Sequence, residues 1–297
     1  MDLQWRNFPL VITVAAAFVM VAFGPGESAE SIPDLSGIWE HANPGFEPLA
    51  SGPTALINRS RRPNGTGDGL KLTGDYTNPI LKPEAAEVVK RHGERAVNMG
   101  DPNPHNQCWL EGPPFVFTNH PNEIVQTRDK VVILYQDNSQ VRHVRMNQTH
   151  PAQVTPTWYG DSVGHYEGDT LVIDTVGIKV GKYSMVDWYG TPHSEALHVV
   201  ERYRMLDYEA AKEGFERDTK EYNEPRGMPV ANPQGKYLQL RFTVEDKNVF
   251  TTPWTATMTF RYVGNGPLDW QEQACAESLL WYPGKEADVP RADKPDF

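Results

Sequence analysis

All the histidines except His41 and His92 fall between His105 and His198, and several stand beside carboxylates or prolines. His150 precedes Pro151, His165 lies two residues before Glu167, and Pro192-His193-Ser194-Glu195 is followed by His198 and Glu201. An imidazole titrates near neutral pH, and a neighbouring carboxylate can fix which ring nitrogen carries the proton. Such a pair is a minimal general acid–base unit. His150, His193, Glu195 and His198 are therefore the candidate catalytic residues. If residues 197–204 form a strand, His198, Val200, Arg202 and Arg204 share one face and Leu197, Val199, Glu201 and Tyr203 the other. One of these faces is interior, so Arg142, Glu201, Arg202 and Tyr203 are candidate ligand contacts, with an ordinary ion pair as the alternative for Glu201 and Arg202. Trp158 and Trp254 join them as rings that either fill a core or line an aromatic cavity.

Other chemistries find less support. His193, Glu195 and His198 offer two imidazoles and a carboxylate, but their spacing is not that of a helical zinc motif, and no metal is expected. Gly160-Asp161-Ser162-Val163-Gly164 fits G-x-S-x-G literally, yet it leads into a hairpin and lacks the strand-to-helix elbow of a hydrolase. The glycine-rich run from Arg62 to Gly69 is not followed by a helix and so is no phosphate loop. No cofactor is expected.

These residues must be positioned by a chain of 297 residues with formal charge −11, which carries no basic run that would bind nucleic acid. Its 24 glycines and 25 prolines favour many turns and short strands. Arg6 followed by the apolar run Phe8 to Phe23 and the small residues up to Ala29 has the layout of a secretory signal, with cleavage expected near Ser28. The mature protein is then periplasmic or secreted and free of the membrane. In that compartment Cys108 and Cys275 are expected to pair as a disulfide.

Residues 29–100 read as an irregular arm carrying one helix, Pro83 to Val97, with proline at its first turn and basic residues late. From Phe115 onward the pattern becomes two-residue alternation broken by short turns, and residues 101–297 are assigned to a β domain forming one structural unit with the arm. Val131–Tyr135 with Arg142–Met146, Ser162–Tyr166 with Thr170–Thr175, and Tyr237–Glu245 with Val249–Tyr262 each predict a hairpin. Successive hairpins give an antiparallel meander, and a meander this long must close to remove its edges. The predicted fold is an all-β closed barrel. Thr255, Thr257 and Thr259 form one face of the last strand and read either as solvent-exposed sheet or as cavity lining. Residues 205–235 read as an excursion, with a helical turn near Glu209–Glu213, that could act as a lid.

Two resemblances follow from these motifs. The opening Asp34-Leu35-Ser36-Gly37-Ile38-Trp39, with Arg261 on a late strand, resembles the lipocalin/calycin pattern, which implies a tryptophan closing one barrel end against an arginine. Pro33–Glu40, Arg142 to Pro151, Trp158 to Thr175, Pro192 to Tyr203, Pro253-Trp254 and Cys275-Ala276-Glu277 resemble a family of secreted bacterial proteins of unknown function. That resemblance implies export and one domain, and marks Arg142, His150, Glu167, Asp169, His193, Glu195, His198, Glu201 and Arg202. The functional expectation is a barrel that binds a small, partly apolar or aromatic molecule. The alternatives are a cofactor-free acid–base lyase, isomerase or hydrolase, and a structural or surface-interaction protein.

Overall fold

The computed structural model describes residues 32–41, 43, 45–95, 102–118, 121–221 and 232–264. Cys275, the whole of the expected signal and part of the arm lie outside them. Among the described residues the strands are β1 (Gly37–Glu40), β2 (Glu47–Pro48), β3 (Asn122–Gln126), β4 (Lys130–Tyr135), β5 (Gln140–Met146), β6 (Asp161–Glu167), β7 (Thr170–Val176), β8 (His198–Leu206), β9 (Tyr237–Glu245) and β10 (Trp254–Tyr262). They run around a closed barrel in the order β1, then β3 to β10, and β10 returns to β1 through Trp39 opposite Tyr262; β2 pairs only with β10, outside the ring.

Alternation builds the wall. Leu238, Leu240, Phe242 and Val244 of β9 and Ala256, Met258 and Phe260 of β10 turn inward together, because the register sets Ala256 opposite Phe242 and Met258 opposite Leu240. Val199, Glu201 and Tyr203 of β8 face the same interior. The expected barrel is present, but it is not antiparallel throughout. β5 and β6 are parallel, with Arg145 opposite Val163, so residues 147–160 cross the outside of the wall without forming a helix. The last hairpin also differs, since Asp246 accepts the backbone N–H groups of Val249 and Phe250 in a longer turn and β10 begins only at Trp254.

Closure uses a different contact from the one the lipocalin-like opening implies. Trp39 is buried and donates its indole N–H to the Leu35 carbonyl at 2.9 Å, and its ring meets Tyr262 edge-on with centroids 5.4 Å apart. Arg261 points outward to Glu40 instead. Gly37 at φ +126° makes the seam possible, because a Cβ there would stand 2.4 Å from the Tyr262 ring.

The helix α1 (Pro83–Arg95) forms where the sequence predicts one and buries Ala85, Val89 and His92. Its His92 ring lies against Gly190, so the helix supports the loop that carries Trp188. A second helix, α2 (Tyr208–Glu221), starts where Asp207 Oδ1 caps the Ala210 N–H at 2.8 Å and buries Ala211, Gly214, Phe215, Asp218 and Glu221. It is not a lid over a mouth. It lies on the outer wall at β10, where Gly214 packs so closely on Thr259 that a Cβ would sit 2.0 Å from its hydroxyl. The threonine face is therefore neither solvent-exposed sheet nor cavity lining. Thr257 and Thr259 are buried beneath β2 and α2, and Thr257 donates to Glu47.

Candidate functional site

Alternation on β5, β6, β7 and β8 brings a polar cluster into the barrel. The Arg142 guanidinium donates to both oxygens of Glu201, at 2.9 and 2.5 Å, to Thr175 Oγ1 at 2.6 Å and, through Nε, to Ser162 Oγ at 3.1 Å. Tyr203 donates to Glu201 Oε2 at 2.9 Å. Arg142 and Glu201 have no exposed side-chain surface. Burial opposes the arginine's charge, but Glu201 more than offsets that and holds its pKa above the ordinary value. Burial pushes the Tyr135 hydroxyl beside it up to about 12. Of the expected ligand contacts, Arg142, Glu201 and Tyr203 thus meet, while Arg202 lies on the outer wall and pairs with Glu167 at 2.5 Å.

A second charged group runs across the outer face of β6 to β9. The crossover carries His150, whose Nδ1 lies 2.7 Å from Asp161 Oδ2 and whose Nε2 lies 3.0 Å from Asp174 Oδ1. Only the doubly protonated ring can donate to both. His198 Nε2 reaches the same Asp174 oxygen at 2.9 Å, and its Nδ1 stands 3.8 Å from Glu245. The hydrogen bond to Asp174 raises the His198 pKa, and the reciprocal bond lowers that of Asp174. Asp161 is also held low: burial opposes its charge, but His150 and Arg145 together outweigh it. His150 and His198 are therefore joined through Asp174, while Asp161 ties His150 to Arg145; sequence reasoning missed both aspartates. The available signal was the acid in Thr170-Leu171-Val172-Ile173-Asp174, on the outward phase of an otherwise apolar strand.

His193 and Glu195 belong elsewhere. His193 Nδ1 lies 3.2 Å from the Ser194 carbonyl, and burial lowers its pKa. Ser194 is tied to Asp246 at 2.6 and 2.8 Å, and Glu195 is exposed. Among the described residues no hydrogen bond or ion pair joins either residue to His150 or His198.

A third arrangement lies at the barrel end marked by the β4–β5 turn. Trp109, Trp158, Tyr183 and Trp188 come from three loops and are all partly exposed. The Trp109 ring stands edge-on to Trp158 at 5.3 Å and to Tyr183 at 5.5 Å, and Lys179 Nζ lies 4.9 Å from the Trp158 ring centre. Trp188 packs on Phe115 and donates to Thr118 Oγ1 at 3.0 Å. Polar groups lead inward from these rings. Gln140 Oε1 accepts the Glu111 N–H at 2.9 Å and the Tyr159 hydroxyl at 3.0 Å, and burial, then Tyr135, then Glu111 raise the Tyr159 pKa. Trp254, by contrast, is 2 % exposed among Phe46, Phe242 and Phe250 and fills the core.

Comparison with protein-family models, with curated proteins and with solved structures gave no match. Among the described residues no helix is long and apolar enough to cross a membrane, and no group of three or more His, Cys, Asp or Glu side chains is arranged to hold a metal ion.

Proposed function

We propose that this chain is an exported barrel that binds a small, partly aromatic molecule at the mouth formed by Trp109, Trp158, Tyr183 and Trp188. The observation that carries this reading is the gathering of four partly exposed aromatic side chains from three loops at one barrel end, beside polar groups that continue inward. Exposed rings cost solvation and are gathered where a ligand covers them, while a few polar groups fix its orientation. The acid–base alternative built on His150, His193, Glu195 and His198 has less support, because the first and last lie on the outer wall and the middle two join neither.

The test uses a neutral naphthylamine dye that fluoresces in apolar sites. The parent should bind it saturably, and Trp158→Ala and Trp109→Ala should each weaken binding about tenfold, the loss of one stacking ring. A parent without saturable binding, or variants that bind like the parent, would refute the reading. Export and the Cys108–Cys275 disulfide belong to the same proposal. Cys108 lies in the turn that also holds Trp109, so the bridge would anchor the mouth. Mass measurement of the folded protein should show no alkylation before reduction and two alkylated cysteines after it; alkylation without reductant would exclude the bond.

A further inference from the structure

Tyr135 ends β4 one rung inside the mouth. The register sets it opposite Gln140, whose Oε1 accepts the hydroxyl of Tyr159, the residue that follows Trp158. Ile133 and Tyr135 on β4 and Gln140 and Arg142 on β5 share the buried, inward phase, so Tyr135 is the diagonal neighbour of Arg142. Tyr135 is 1 % exposed, yet its hydroxyl has no hydrogen-bond partner among the described residues. A buried hydroxyl without an acceptor costs free energy, and native structures hold few of them. The groups around it do not supply that acceptor. Arg142 has donors only. Gln140 Oε1 already accepts the Glu111 N–H and the Tyr159 hydroxyl, and Glu201 Oε2 accepts Arg142 and the Tyr203 hydroxyl. Trp254 Nε1 is also unpartnered, but it lies in the aromatic core, whereas Tyr135 adjoins the polar groups that lead inward from Trp158.

We propose that Tyr135 is the polar end of the aromatic site, and that the ligand is a neutral aromatic carbonyl compound whose oxygen accepts the Tyr135 hydroxyl; the inference rests on the mouth being a binding site. The ring system lies among Trp109, Trp158 and Tyr183, and the carbonyl points inward. The interior charges select a neutral acceptor. Glu201 already balances the Arg142 guanidinium, so a carboxylate would enter a buried site without a counter-charge, while a ketone or amide oxygen accepts the bond and brings none. Burial, opposed by the charge of Arg142, raises the Tyr135 pKa to about 12, which keeps the hydroxyl a donor at neutral pH.

The test displaces the naphthylamine dye with three compounds that share one ring system: acetylnaphthalene, ethylnaphthalene, which lacks the carbonyl, and naphthoate, which is an anion. In the parent the ketone should bind about tenfold more tightly than the hydrocarbon, the gain of one hydrogen bond, and more tightly than naphthoate. Tyr135→Phe removes only the hydroxyl; it should keep the parent's affinity for the dye and for ethylnaphthalene and erase the ketone's advantage. The infrared carbonyl band of bound acetylnaphthalene should stand lower in the parent than in Tyr135→Phe. A parent that binds the dye but does not distinguish ketone from hydrocarbon overturns the proposal, as does tightest binding of naphthoate. A Tyr135→Phe variant that keeps the preference also overturns it and assigns the hydroxyl to a buried water only. Failure of the parent to bind the dye would instead remove the binding site on which the proposal rests.

Discussion

Arg142 with Glu201 and His150 with Asp174 are built from the same kinds of group on neighbouring strands, yet one set is sealed inside the barrel and the other lies on its outer wall. Inside, every exchange with water is lost, so the guanidinium must spend its donors on Glu201, Thr175 and Ser162 at once. Outside, Asp174 and His198 keep 38 % and 34 % of their side-chain surfaces exposed, and solvent screens their attraction. The inner set makes a misfolded wall costly, and the outer set fastens a loop weakly and reversibly.

The comparison can be broken most strongly at Arg142. Arg142→Met leaves Glu201 buried and unpaired and should lower unfolding free energy by about 3–5 kcal/mol in urea titrations. Adding Glu201→Leu should restore most of that loss; if the double variant is no better than the single one, the penalty does not come from an orphaned charge. Thr175→Val keeps the ion pair but strips an acceptor from the guanidinium, with an expected loss of about 1–3 kcal/mol.

The outer network predicts a smaller effect with a distinctive pH window. His198 is raised above 6.5, so its contribution is fully present below that pH and fades as pH rises through the folded value. Asp174 is held below 3.8, so its contribution is present above that pH and fades as pH falls through its folded value. The stability difference between the parent and Asp174→Asn should therefore peak between pH 3.8 and 6.5. It should stay below about 1 kcal/mol after screening and shrink in high salt. A difference that is flat with pH, or unmoved by salt, would show the network is not electrostatic.

The barrel wall was legible because alternation and short turns are local signals. Leu238 to Val244 reads the same in sequence and in structure. The parallel joint was not, since parallel neighbours usually announce themselves by a crossover helix and residues 147–160 form none. The threonine face was misjudged because what covers it, Glu47 and Gly214, comes from segments distant in sequence. Arg142, Glu201 and Tyr203 were identifiable individually, and strand phase correctly separated Glu201 from His198. Asp161 and Asp174 escaped because their partners are set by cross-strand register.

The seam between β1 and β10 has a further consequence. Trp39 and Tyr262 belong to the first and last described strands of the chain, so the contact that closes the ring spans nearly the whole described sequence. Every other neighbouring pair around the wall except β1 with β3 joins strands consecutive in sequence and can zip locally. During synthesis the growing sheet therefore has an open flank until Tyr262 emerges, with the backbone groups of β9 ready to pair with another molecule. Folding yield should then depend on how quickly the last strand arrives to cover that flank.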